Sequence, residues 1–338
     1  MNNDTGDTEK TDEADVSSTR STLPTFSEWI GFQLPSLPSM PQTVKNLDKA
    51  AAALLDWPTA VLEGKASRAR SETEQSILLE SAVIEAMRRE LGNVDNKKLS
   101  SQVRGLVQDY LQKHHSRKRV LELAVKEVAT DPGSDDATGK PSDDFMAFFK
   151  GKVDSLGTDE ARMLFAKVLA GEVKRPGSFS KPAMSILAEM DEDVGSLFER
   201  LCNMSVALPA GIPIEFWKPR VLTLGMGNAG SNALRDFGLG FDQLNILNEA
   251  GLIISDYNSY NLLFGQIELA GRAHTLSVKP QPDMTAGKVA AEGVLQQMHG
   301  VAFTKAGGEL RKIVSIAPYE PYVTRLRAEF EKFGVIMS

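Results

Sequence analysis

The stretch Leu164 to Met184, read LFAKVLAGEVKRPGSFSKPAM, constrains this chain most, because a helix, its stop and the next helix start follow one another without a gap. Leu164, Phe165, Val168 and Leu169 recur at helical spacing, Gly171 is expected to end that helix, and Ser180 with Pro182 opens the next. Such punctuation leaves short helices packed on one another as the way to bury the apolar positions. The same grammar surrounds the stretch. Ser142 precedes Asp143 and Asp144, Thr158 precedes Asp159 and Glu160, and Asp191 precedes Glu192 and Asp193. An oxygen at the first position accepts a free backbone N–H, and the acids that follow suit the positive end of the helix. Each of these acids is thereby explained as a helix start, and their spacing gives no metal-ligand set.

Upstream, Met1 to Arg20 holds six acids against two bases and almost nothing apolar, which reads as a disordered tail. Between Ser21 and Pro41, prolines alternate with Trp29, Phe32 and other apolar residues, a pattern for an extended linker. Val44 to Leu62 reads as an amphipathic helix. Trp29, Phe32, Leu47, Leu54 and Trp57 are the candidate membrane or partner surface, although Lys45 and Lys49 are offset by Asp48 and Asp56, so attraction to lipid is weak and packing of this helix on its neighbour is the preferred reading. Ser71 to Glu74 fits a capping box ahead of a helix carrying Ile77, Ile84, Met87 and Leu91. A second helical pattern runs from Leu99 to Tyr110 and resumes over Val120 to Val128, with Lys113-His114-His115-Ser116-Arg117-Lys118-Arg119 between its two halves. Lys113, Arg117, Lys118 and Arg119 are the candidate nucleic-acid contacts, since clustered cations grip phosphates. A solvated helix corner produces the same run, and no aromatic residue is interleaved for base stacking.

The chain has 338 residues, 42% of them hydrophobic, enough for two or three cores. The expected divisions are 1–40, 41–130, 142–206 and 207–338, with the acidic turn at Asp131 to Pro141 between the second and third. The formal charge is −7, and since the tail carries −4 of it, the remainder is close to neutral and neither demands nor excludes nucleic acid. A lone cysteine, Cys202, lies in the apolar row Val194, Leu197, Phe198, Leu201, so no internal disulfide forms and a buried structural thiol in a cytoplasmic protein is expected. The N-terminus lacks a basic start followed by an apolar run, and no uncharged apolar stretch of about 18 residues occurs, so neither secretion nor a spanning segment is expected.

One cofactor-like motif stands out. Val221 to Gly230 reads VLTLGMGNAG, in which Gly225, Gly227 and Gly230 satisfy G-x-G-x-x-G, with Glu249 about twenty residues on for a ribose. A dinucleotide fold needs repeated βαβ units, whereas the chain before this point is almost wholly helical, so a turn before a helix is the simpler reading and no cofactor is expected. Beyond it, Ser231 to Phe237 and Phe241 to Ala250 read as helices, the second with Phe241, Leu244 and Leu247 inward and Gly251 as its stop. Leu252 to Ser255, Leu262 to Ala270 and His274 to Val278 read as strands, and Phe303-Thr304-Lys305-Ala306-Gly307 as a strand-to-helix joint. This order resembles a winged helix. If it read DNA, the helix at Phe241 to Ala250 would enter the major groove with Asp242, Gln243, Asn245, Asn248 and Glu249 outward, none of them basic. A wing used for protein contacts or self-association is therefore preferred. The fold expected is mainly α, with multi-helix N-terminal and central regions and a small α+β, winged-helix-like C-terminal module.

The acidic helix start, the Leu-Ala-Gly-Glu-Val stop at Leu169 to Val173, the Lys-x-Pro-Gly-Ser-Phe-Ser linker and the Gly-rich turn before Asn245 to Ile254 resemble an uncharacterised bacterial family of unknown function related to the Abi-alpha abortive-infection proteins. The similarity is best over Asp143 to Ser255. It implies a bacterial cytoplasmic protein acting against phage, and it supplies no catalytic residues. The expectation is a non-enzymatic phage-defence sensor or effector, working as an oligomer or through a protein partner or a membrane surface. The alternatives are a winged-helix DNA-binding regulator and, third, a nucleotide-using enzyme built on Gly225 to Gly230.

Overall fold

The computed structural model describes residues 41–55, 97–130, 139–207, 219–224, 232–254, 259–263, 266–278, 295–332 and 334–338. Among the described residues six helices come first: α1 Pro41–Leu55, α2 Lys97–Thr130, α3 Asp143–Val153, α4 Asp159–Lys174, α5 Lys181–Glu189 and α6 Glu192–Cys202. The starts of α3 to α6 fall at the caps expected from sequence. Ser142 Oγ accepts from the Phe145 N–H at 3.1 Å, Thr158 Oγ1 from Ala161 at 3.2 Å, Ser180 Oγ from Ala183 at 3.4 Å and Asp191 Oδ1 from Val194 at 2.9 Å. Each such cap stabilises its helix by about 1 kcal/mol.

Three sequence expectations for this region need correcting. First, the helical pattern that runs Leu99 to Tyr110 and resumes at Val120 is not interrupted at Lys113 to Arg119, because α2 runs unbroken across the basic residues. Second, Gly171 does not end α4, which continues to Lys174. The glycine is there for a neighbour, since a Cβ at 171 would stand 2.7 Å from the ring of Phe179, and that ring folds back across the helix. Third, of the two readings of α1 the packing one fits, and Leu47 and Leu54 are buried rather than an exposed membrane or partner surface. With Ala50 and Ala51 they form the buried side of α1, which packs against α2, α3 and α4, and the small alanines permit that close approach. Trp29, Phe32 and Trp57, the acidic tail, the capping box at Ser71 and the acidic turn at 131–138 lie outside the described residues.

The remaining helices, α7 Phe241–Glu249, α8 Lys305–Leu310 and α9 Glu320–Lys332, accompany a sheet of eight strands: β1 Val206–Ala207, β2 Arg220–Leu222, β3 Ile253–Ile254, β4 Ser259–Leu263, β5 Gln266–Leu269, β6 Arg272–Val278, β7 Leu295–Phe303 and β8 Val335–Met337. The expected helix at 231–237 is a 3₁₀ turn, Ala233–Phe237. All pairings are antiparallel, in the order β3-β7-β2-β1-β5-β6-β8, with β4 also on β7. The single strand expected over 262–270 is divided between β4 and β5, which pair with different strands, β4 with β7 and β5 with β6. β5 and β6 meet at a tight hairpin in which Ala270 and Gly271 both have positive φ, 46° and 80°. Two consecutive left-handed residues give the turn whose twist matches that of the flanking strands.

One buried apolar cluster runs from Leu47 to Met337. It crosses the divisions expected at 142 and 207, so the described helices and the sheet share a core. Phe149 stacks on Phe145 with centroids 5.8 Å apart, and Phe198 meets Phe303 edge-on at 6.0 Å, joining α6 to β7. The fully buried Tyr322 fastens α9 to β2. Its hydroxyl donates to the Leu222 carbonyl at 3.1 Å and accepts the Leu222 N–H at 3.0 Å, satisfying a buried backbone pair. Cys202 is buried as well, and desolvation pushes its thiol up to about 12, so it packs as a small apolar residue.

Candidate functional site

Two buried carboxylates organise the Lys174 to Ser180 linker between α4 and α5. Glu172 lies on the apolar stripe of α4, three residues after Leu169 and seven after Phe165. Its oxygens accept the N–H groups of Gly177 at 2.6 Å and Phe179 at 3.2 Å. Burial nevertheless raises its pKa above the usual glutamate value, with the backbone donors opposing the rise. Glu309 on α8 accepts both the N–H and the hydroxyl of Ser180 at 2.7 Å. The linker is thus a polar joint between the helices and the sheet. Neither acid was singled out from sequence. An acid in phase with Phe165 and Leu169 was the available signal for Glu172.

The basic residues of α2 meet acids from the α3–α4 turn. Arg117 binds Asp154 through two bonds, Nε to Oδ1 at 2.6 Å and Nη2 to Oδ2 at 2.7 Å. Arg119 reaches Asp159 at 3.5 Å and Glu122 at 3.6 Å, and Lys113 reaches Asp109 at 2.6 Å. Ser116 accepts from Arg162 Nε at 3.2 Å. The guanidinium of Arg162 also donates to Asp159 at 2.9 Å and to the Leu156 carbonyl at 3.0 Å. The hydrogen bond from Arg162 is the main reason the Asp159 carboxyl sits below its usual pKa. Lys118, half-buried, makes no ion pair among the described residues. Three of the four candidate phosphate contacts therefore spend charge on carboxylates of the protein itself.

The C-terminal joint is built closely. β3 pairs with the end of β7, Ile253 opposite Phe303. Thr304 then caps α8 by accepting the Gly307 N–H at 2.9 Å, while its hydroxyl donates to the Gly251 carbonyl at 2.6 Å. Gly307 is required there, since a Cβ would collide with the Leu252 carbonyl oxygen. Ahead of this joint, α7 buries Leu244 and Leu247 and ends at Gly251, whose φ is 73°. Phe241 is not inward as expected but 54% exposed, because it is the first residue of the helix, beyond the reach of the core that takes Leu244. With Ile246 (40%) it flanks Asp242 and Glu249 on the outer side, and Ile254 (42%) is exposed on β3. The outer face of α7 therefore combines apolar edges with an acidic centre and no base.

Gly225, Gly227 and Gly230 lie outside the described residues. Just before them, Thr223 faces His299 across the β2–β7 ladder, and the buried Thr223 Oγ1 and His299 Nδ1 have no hydrogen-bond partner among the described residues. Among the described residues no group of three or more His, Cys, Asp and Glu is arranged to hold a metal. None of the described helices is long and apolar enough to cross a membrane. No curated protein and no solved structure is significantly similar to the chain. A family model for a protein of unknown function, DUF2806, matches residues 104–327, from within α2 to within α9. Because that match spans well over half of the sequence, the chain belongs to the DUF2806 family.

Proposed function

We propose that this protein is a non-enzymatic phage-defence factor of the abortive-infection kind, acting in the bacterial cytoplasm through protein contacts made by α7 and its surroundings. The observation that carries the reading is the outer face of α7, where Phe241 and Ile246 stand exposed beside Asp242 and Glu249. Apolar side chains with acids favour a protein surface that is apolar and cationic, and they repel phosphate. The biological setting is taken from the resemblance of the Leu169 to Val173 and Lys174 to Ser180 motifs to the Abi-alpha proteins. Trp29, Phe32 and Trp57 remain the residues through which a membrane surface would be touched.

A second reading has an observation of its own. The joint in which α7 leads into β3, β3 pairs with the end of β7 and β7 runs through Thr304 into α8 is the part of the fold that resembles a winged helix, and a DNA-binding regulator is the corresponding function. Its weakness is the absence of Arg and Lys from α7, since phosphate attraction supplies much of the affinity of such proteins.

The test is phage plaquing on bacteria expressing the full chain at low level, wild type against Phe241→Asp/Ile246→Asp. Protection with early death of infected cells, lost in the double variant while its thermal unfolding is unchanged, is the expected result. Equal protection by the variant would remove α7 from the function. Salt-sensitive DNA binding by the full chain would instead promote the regulator.

A further inference from the structure

A cleft of about 450 Å³ opens where two helices end together. α2 and α4 run side by side in one direction, since Arg119 of α2 meets Asp159 at the first turn of α4. Glu127, in the last turn of α2, accordingly lines the cleft with Lys174, the last residue of α4. The opposite wall is made by the 3₁₀ turn Arg311–Ile313 and the residues that follow it. Pockets for small molecules have volumes of roughly 300–1,000 Å³, so the cleft is large enough for one.

The charges of this lining balance in sum but not in place. Lys174 and Arg175 are already engaged within the protein, which leaves Lys167 and Lys312 as cations and Glu127 as the anion. The negative ends of α2 and α4 add about half an elementary charge each, so the cleft as a whole is close to neutral. Even so, the half-buried Glu127 and the exposed Lys312 make no ion pair, with each other or with any other of the described residues. Lys167 is held in place. Its ammonium donates to the Ile313 carbonyl at 3.2 Å and to Ser315 Oγ at 3.1 Å, and a third N–H remains. Ala170, Gly171 and the Phe179 ring add an apolar side, and the absent Cβ of Gly171 is what lets that ring lie there.

We propose that this cleft binds a zwitterion, an α-amino acid with an apolar side chain. A ligand of net charge would bring an uncompensated charge into a neutral cleft, and a ligand without charges would leave Glu127 and Lys312 unanswered. An amino acid meets both conditions. Its ammonium goes to Glu127 and the two helix ends, which attract cations, and its carboxylate to the third N–H of Lys167 and to Lys312. The side formed by Ala170, Gly171 and Phe179 receives its side chain. The site is independent of α7 and of the phage-defence reading.

Isothermal titration of the full chain with L-leucine, L-methionine and L-phenylalanine tests it. Each is compared with the analogue lacking the ammonium and the analogue lacking the carboxylate, for phenylalanine 3-phenylpropanoate and 2-phenylethylamine. At least one amino acid is expected to bind below about 1 mM and both of its analogues about tenfold more weakly, because each analogue loses a charge-assisted contact. Lys312→Gln is expected to weaken the amino acid by about fivefold and to leave the amine unchanged. Glu127→Gln is expected to do the converse, weakening the amino acid to a similar extent while the carboxylate analogue binds no worse than to wild type. Neither side chain has an ion-pair partner to lose, so the thermal midpoints without ligand are expected to match wild type. No binding of the three amino acids at about 10 mM would overturn the proposal, since so weak an affinity leaves the cleft to solvent. Equal binding of either analogue and its parent would overturn it by removing the need for both charges. Equal binding of the amino acid by wild type and either variant would overturn it by placing the ligand elsewhere.

Discussion

The basic segment of α2 and the outer face of α7 look alike in sequence, each a polar helix surface with strong charge, yet the fold uses them in opposite ways. On α2 the charges turn inward to the α3–α4 turn, where Arg117 takes both oxygens of Asp154 and Ser116 receives Arg162. On α7, Asp242 and Glu249 stay in solvent beside Phe241 and Ile246. The segment that looked like a ligand grip is therefore a seam of the fold, and the helix with the weaker motif offers the open face. A charge in a sequence describes a surface only after its partner is found. Here the distant partners of Arg117 and Arg119, Asp154 and Asp159, lie 37 and 40 residues further along.

If the α2 seam is structural, breaking its most buried member must cost the most. Arg162 is almost fully buried and donates to Ser116, Asp159 and the carbonyls of Leu156 and Gly157. Arg162→Met leaves those acceptors without donors, and urea unfolding is expected to show a loss of about 3 kcal/mol. A loss below about 0.5 kcal/mol would mean that water replaces the guanidinium and that the seam is ornamental. Next in size is the Arg117–Asp154 pair, whose side chains are mostly shielded from solvent. A double-mutant cycle with Arg117→Ala and Asp154→Ala is expected to give a coupling of about 1–2 kcal/mol, reduced only slightly by salt. A coupling near zero would mean that the Arg117–Asp154 pair does not hold the seam together.

The seam also has an acid-side signature. Asp159 lies below its usual pKa, chiefly through the hydrogen bond from Arg162. A carboxyl with a depressed folded-state pKa adds stability above the ordinary aspartate range, and that contribution disappears as pH falls through the lowered value. Glu172 works the other way. Burial raises its pKa, so its contribution is complete below the ordinary glutamate range and declines as pH rises through the raised value. Thermal midpoints measured from pH 3 to 7 are therefore expected to fall less steeply on the acid side for Asp159→Asn than for wild type. For Glu172→Gln the drop is expected to steepen. Parallel curves for all three proteins would contradict the charge assignment at both places.

These contrasts also show which parts of the molecule local sequence could reveal. The caps at Ser142, Thr158, Ser180 and Asp191 were legible because a cap is a contract between residues three apart. The Thr304 joint was legible for the same reason. Gly171 misled because its absent side chain serves Phe179, a packing need rather than a helix stop. The unbroken α2 was hidden because its polar middle is paid for by distant acids, and the eight-stranded sheet was hidden because β7 gathers β2, β3 and β4 from three separate stretches. Phe241 failed differently. Helical phase put it on the inner side, but phase says nothing of how far along the helix the core extends.

The smallest effect on stability belongs to α7, and it is the one that sharpens the comparison most. Asp242→Lys/Glu249→Lys gives this helix the charge that α2 only seemed to offer, on side chains exposed to solvent. Surface changes of this kind usually alter stability by no more than about 0.5 kcal/mol, so unfolding is expected to be unaltered. Two outcomes then separate the readings. If α7 meets a cationic protein surface, the reversed charges repel that partner, phage protection is lost and DNA binding by the full chain stays undetectable at moderate salt. If α7 is a recognition helix held back only by its acids, the same change lowers the electrostatic barrier at the groove, and DNA binding appears with a steep dependence on salt. Exposed apolar edges at Phe241 and Ile246 fit the first outcome, because a major groove offers little apolar surface to cover them.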